Sequence, residues 1–191
     1  MERCPGMEYI AVLDTETNWN NQVMSIGVVL ADGDTYCPAE ARYYIVTPEC
    51  EIGGMYDGVL ELAPREKTRC TGRKQAMQAL GCWLESRGVR RIFAYNARFD
   101  CRLLPELSRF SWFDIMRLAA YRQYNGRIGE DCPCCRTGRL KSRYGVEPIL
   151  QLLSGRQDYR ETHNAYYDAL DELEIMKLLG RSLEDYACAA I

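Results

Sequence analysis

Two hydrophobic periodicities divide this chain. Residues 9–13, YIAVL, are an unbroken apolar run that stops at Asp14, and they predict a buried strand. QVMSIGVVL, 22–30, is rich in β-branched residues and predicts a second strand; ADGD, 31–34, has hairpin-turn composition. ARYYIVT, 41–47, then returns as a third strand. Residues 48–71, with two prolines, a GG pair and mixed charge, predict a long connection holding a short helix near VLELA. The period then changes. Apolar residues at 76, 77, 80, 83 and 84 predict a helix over RKQAMQALGCWLES, with Gly88 as its stop. RIFAY, 91–95, predicts a fourth strand, and 98–107 a short helix cut by Pro105. WFDIMRLAAYRQY starts as a brief strand and becomes a helix capped by Asp114. Residues 125–145 follow neither period, so an irregular insertion is expected there. Helices are predicted over GVEPILQLLSG and NAYYDALDELEIMKLLG, the latter with apolar residues at 165, 169, 170, 173, 176 and 179. The tail beyond Gly180 is expected to be loosely attached. A strand meander followed by alternating helix and strand gives a single α/β domain, 1–191, with a mixed sheet and its core over about 9–180.

Composition narrows the class. At 47% hydrophobic and 27% charged residues the chain suits a soluble globular protein. No segment approaches the ~20 apolar residues of a membrane span. MERCPGMEYIAVLD lacks a basic region followed by an apolar one, so no signal peptide is expected and the cytoplasm is the expected location. The 10 cysteines then read as reduced thiols, mostly small apolar residues. A net charge of −3 excludes a broadly basic duplex-coating protein, but not an enzyme gripping a few nucleotides.

The candidate chemistry is acidic. Asp14 and Glu16 in LDTET stand two apart at the end of the first strand, so they share a face. Asp100, in AYNARFD, follows the fourth strand and lies one turn into a helix. Asp168 lies beside the buried stripe of the last helix, and His163, the single histidine, stands five positions before it. Taken singly, each acid fits a solvated surface and the histidine fits a capping or core role. Four acids converging on one point need compensating charge, and hard divalent cations with oxygen ligands, Mg²⁺ or Mn²⁺, supply it.

YIAVLDTET, AYNARFD and HNAYYDALDEL together resemble, in order and spacing, the three motifs of the DEDD superfamily of 3′–5′ exonucleases. The match is to its DnaQ-like group, which includes the DNA polymerase III ε subunit and ribonuclease T, and it runs over about 9–180. In the DEDDh subclass a histidine precedes the last aspartate by five, as His163 precedes Asp168; the position where the other subclass has tyrosine is Asn164. The resemblance implies a ribonuclease H-like fold, with a five-stranded mixed sheet flanked by helices. It also implies two-metal phosphodiester hydrolysis. Asp14, Glu16 and Asp168 would hold the metal of the attacking water. Asp14 and, largely through water, Asp100 would hold the metal of the leaving 3′ oxygen. His163 would be the general base, with an imidazole of ordinary pKa ~6.5 suited to neutral pH. The products would be nucleoside 5′-monophosphates. Thr15 and Thr17 flank Glu16 and are candidate contacts to the terminal nucleotide. Asn96 and Phe99 are further candidates, although Phe99 fits the core as well as a base stack. Many relatives continue the first motif with Thr-Gly. Here it reads DTETNWNNQ, which makes Trp19 a candidate stacking residue.

In the insertion, DCPCCRTGRLKSR places Cys132, Cys134 and Cys135 within four residues, half of a structural zinc site. Arg136, Arg139, Lys141 and Arg143 follow and suit either a solvated loop or phosphate contacts. The leading expectation is a metal-dependent exonuclease on single-stranded DNA or RNA 3′ ends. The alternatives are an inactive exonuclease-like module that docks on nucleic acid or a polymerase, and a zinc-stabilised structural protein.

Overall fold

A computed structural model describes residues 8–191. Cys4 and the first half of the stretch on which the leader reading rests lie outside the described residues. Six strands form one mixed sheet in the order β4-β3-β2-β1-β5-β6. They are β1 (Tyr9–Thr17), β2 (Val23–Asp32), β3 (Pro38–Thr47), β4 (Thr68–Gly72), β5 (Arg91–Ala94) and β6 (Ser111–Asp114). β1 to β3 are an antiparallel meander, while β4 joins β3, β5 joins β1 and β6 joins β5 in parallel. The helices are α1 (Arg73–Ser86), α2 (Arg98–Leu103), α3 (Ile115–Ala119), α4 (Val146–Ser154) and α5 (Ala165–Leu179).

The period of two in β1 sorts its side chains. Ala11 and Leu13 face α1, where Ala76, Met77, Leu80, Trp83 and Leu84 close one core. Ile10 and Val12 face the other way, into a core built with α3, α4 and α5. The apolar positions read in the sequence for α1 are thus the ones buried.

Three expectations are corrected. The sheet has six strands, not five. β4, TRCTG, was hidden because a short, polar, half-exposed edge strand carries no apolar alternation. The helix after Asp114 ends at Ala119, earlier than its sequence suggests, and residues 120–124 turn into the insertion. The tail is docked rather than loose. Tyr186 is fully buried against Phe93, Ala189 is 3% exposed, and Ile191 N–H donates to the Trp112 carbonyl. No described helix is long and apolar enough to cross a membrane.

Candidate active site

Asp14 and Glu16 continue the Ile10–Val12 face of β1, so the strand's pleat carries two carboxylates from the apolar core to the sheet's end. α5 crosses the same face and brings Asp168 to them. Its approach depends on Gly27, the β2 partner of Asp14: a Cβ there would lie 1.9 Å from the Ala165 carbonyl oxygen. Asn164 caps α5 by accepting from Tyr166 N–H. Its amide donates to the Val59 carbonyl at 2.7 Å, tying the helix start to the 3-10 turn Asp57–Leu62. This fully buried structural role explains why Asn164, and no tyrosine, occupies that position.

His163 precedes the cap in the left-handed region, at φ +56°, and its ring stacks on Tyr56 with centroids 4.2 Å apart. Among the described residues, Glu16, His163 and Asp168 form the one group of three metal-capable side chains with ligand atoms all within 4.8 Å of one another. Asp100 arrives from the first turn of α2. Asn96, exposed and at φ +62°, turns the chain out of β5, and its N–H is held by Asp114. The Asp100 carboxylate accepts from the Thr15 hydroxyl at 2.7 Å.

The electrostatics are those of crowded acids without cations. Burial, then Asp100, Asp168 and Glu16, push Asp14 well above the carboxylate range. Burial and Glu161 push Glu16 up to about 8 and Asp168 to about 9. Burial raises Asp100 to about 7 against the opposing hydrogen bond from Thr15. Asp14 Oδ2 and Asp168 Oδ1 are sealed from solvent and have no hydrogen-bond partner among the described residues. Buried orphan oxygens are costly. An oxygen-rich pocket of this kind fits a hard divalent cation. His163 moves the other way: burial lowers its pKa, so the ring is neutral at pH 7.

Two carboxyls that sequence reasoning missed belong to this constellation. Glu172, 1% exposed, stands one turn beyond Asp168; burial, then Asp14 and Asp100, raise its pKa well above normal. Its i+4 spacing within a buried stripe was a usable signal. Glu161, two residues before His163, is raised to about 7, chiefly by burial. Nothing in its sequence context marks it, because the loop that folds it inward is irregular.

The remaining candidates divide. The Thr15 hydroxyl is occupied by Asp100, so Thr15 supports the site from behind rather than facing outward. Thr17 is half-buried at a register shift in β1. Phe99 is half-buried and joins none of the core clusters. The three insertion cysteines do not converge. Cys132 and Cys134 pack toward the core, and no zinc-type group forms among the described residues. Only half of the tetrahedral ligand pattern exists, and the single histidine is committed elsewhere.

No protein-family model and no curated protein matches the sequence. Solved structures do match the fold. Exonuclease X, in complex with 5′-overhanging duplex DNA, is 19% identical with a TM-score of 0.57, over 94% of this chain and 98% of that one. The nuclease domain of 3′hExo, a DEDDh family member bound to rAMP, is 15% identical with a TM-score of 0.61, over 96% and 95%. E. coli Exonuclease I, in complex with a dA16 oligonucleotide, is 13% identical with a TM-score of 0.61, over 94% of this chain and 42% of that one. The chain therefore has the fold of these exonucleases.

Proposed function

We propose that this chain, having the fold of those exonucleases, is itself a divalent-metal-dependent 3′–5′ exonuclease. It would hydrolyse the terminal phosphodiester of single-stranded nucleic acid and release nucleoside 5′-monophosphates. The observation that carries this reading is the meeting of Glu16, Asp168 and the neutral His163 within 4.8 Å, beside the orphaned oxygen of Asp14.

Asp14, Glu16 and Asp168 would hold one Mg²⁺ or Mn²⁺, and Asp14 with Asp100 a second. Bound there, the ions offset the carboxylate charge, acidify water and stabilise charge on the leaving oxygen. The protein's own work is positional. Thr15 fixes the Asp100 carboxylate, and the α5 cap fixes Asp168 relative to β1. His163 accepts the proton of the attacking water as its oxygen bonds to phosphorus. The bond to the 3′ oxygen breaks, and that oxygen takes a proton from solvent. Trp19 and Met55, 67% and 68% exposed, lie on segments joined where Trp19 N–H meets the Gly53 carbonyl. With Phe99 they are the apolar surfaces offered to nucleobases.

The test is degradation of 5′-labelled single-stranded DNA and RNA with Mg²⁺ or Mn²⁺, comparing wild type with Asp14→Asn and His163→Ala. A ladder shortening from the 3′ end is expected. It should be lost in Asp14→Asn and slowed about 10²–10⁴-fold in His163→Ala, the usual contribution of a general base. The faster substrate identifies the nucleic acid. No ladder with either metal would overturn the enzyme reading in favour of an inactive binding module.

A further inference from the structure

Glu161 is a half-buried acid that the mechanism above leaves unused. Its side chain is 17% exposed, and Oε1 lies 4.0 Å from His163 Nδ1, a gap that a small χ rotation or one bridging water closes. Among the described residues no other cation pairs with this carboxylate, which also takes a hydrogen bond from the Glu147 backbone. It is absent from the Glu16–His163–Asp168 group, although it is the acid that acts most strongly on Glu16 and Asp168.

The surroundings hold both partners in place. Glu161 N–H donates to Glu147 Oε2 at 3.1 Å. Glu147 sits in the first turn of α4, where a carboxylate is favoured by the helix dipole. Gln151 Nε2 reaches Glu147 Oε1 at 3.4 Å and the Tyr159 carbonyl at 3.0 Å, pinning the loop that carries Glu161. On the other side Tyr56 stacks within 15° of parallel on the imidazole, limiting its tilt.

A neutral imidazole has two tautomers, and the partner of one nitrogen decides which is populated. A carboxylate at Nδ1 selects the Nδ1–H form and leaves the Nε2 lone pair free to accept a proton. We infer that Glu161 is a positioning residue for His163, selecting its Nδ1–H tautomer and aiming Nε2 at the reacting water. This inference rests on the exonuclease reading for its catalytic consequence, but its structural half stands alone.

The single histidine makes the experiment clean, because its ring ¹⁵N signals need no assignment. Wild type, Glu161→Ala and Glu161→Gln are compared by long-range ¹H–¹⁵N correlation, and by kcat, KM and Mg²⁺ requirement on a single-stranded oligonucleotide. Wild type should show Nδ1 protonated and Nε2 bare. In Glu161→Ala the Nε2–H form should rise and kcat at saturating Mg²⁺ fall about 10–100-fold with KM unchanged, while the Mg²⁺ requirement drops because Glu161 no longer raises Glu16 and Asp168. The near-isosteric Glu161→Gln keeps an acceptor oxygen and should retain the wild-type tautomer and most of kcat. An unchanged tautomer in Glu161→Ala overturns the inference. So does a loss that appears as a raised Mg²⁺ requirement, which would make Glu161 a metal ligand. An inactive wild type would instead sink the exonuclease reading, and the ¹⁵N spectra would still decide the tautomer.

Discussion

Thr15 shows how little of a residue's role its position in a motif reveals. It sits between two candidate ligands, yet its side chain points to the opposite face of β1 and holds Asp100. Thr15→Val should therefore weaken the site without touching substrate. The buried Asp100 would lose its donor, and apparent Mg²⁺ affinity should drop about 10-fold or more. Thr15→Ser keeps the hydroxyl and should behave as wild type. Metal-titrated activity of the two variants distinguishes this from a substrate contact, which would raise KM instead. Metal uptake also carries a pH dependence. Glu16, Asp100 and Asp168 have values of about 8, 7 and 9, so ions displace protons. Mg²⁺ affinity should rise steadily from pH 6 to pH 9, with proton release detectable by calorimetry in buffers of different ionisation enthalpy. A flat affinity over that range would mean the carboxylates are already ionised.

At the scale of elements, the site exists because α5 lies unusually close to β2. Gly27→Ala would drive a methyl group into the Ala165 backbone, against a carbonyl rather than a side chain that could rotate away. The expected cost is about 1–3 kcal/mol, typical of overpacking. The larger effect should be on activity, since His163 and Asp168 ride on the displaced segment. Thermal unfolding and nuclease rate together check this, and an active, fully stable Gly27→Ala would show that the helix can yield. The docked tail makes a second prediction. Tyr186→Ala should cost about 3–5 kcal/mol, as for other large buried aromatics. Tyr186→Phe should cost almost nothing, because the hydroxyl is buried with no hydrogen-bond partner among the described residues.

At the scale of the whole molecule, the clustered acids set the protein against itself when metal is absent. The folded pKa values of Asp14, Glu16, Asp100, Asp168, Glu161 and Glu172 all lie above the ordinary carboxylate range. Between that range and about pH 9 the native state binds more protons than the unfolded chain, so unfolding stability falls as pH rises. Metal-free protein should be most stable near pH 4–5 and lose melting temperature from there to about pH 9, most steeply below pH 7. Added Mg²⁺ should restore it by binding the native state alone. Asp168→Asn, which removes the cost of protonating that carboxyl on folding, should raise the metal-free melting temperature at pH 8 while abolishing the restoration. A melting temperature that climbs with pH in the absence of metal would contradict this account.

The sequence alone determined the order of the elements other than β4, the burial of β1 and the five chemically marked residues. Each depends on local spacing: period two in a strand, 3.6 in a helix, and five residues from His163 to Asp168. Tertiary structure decided what local spacing cannot carry. β4 pairs with β3 only because an edge strand needs one neighbour and little apolar surface. The tail packs because Phe93, far away in sequence, presents a ring to Tyr186. Glu161 and Tyr56 reach His163 through irregular loops, where no periodicity predicts direction. The cysteines looked like half a metal site because sequence shows proximity along the chain, whereas a ligand set needs convergence in space.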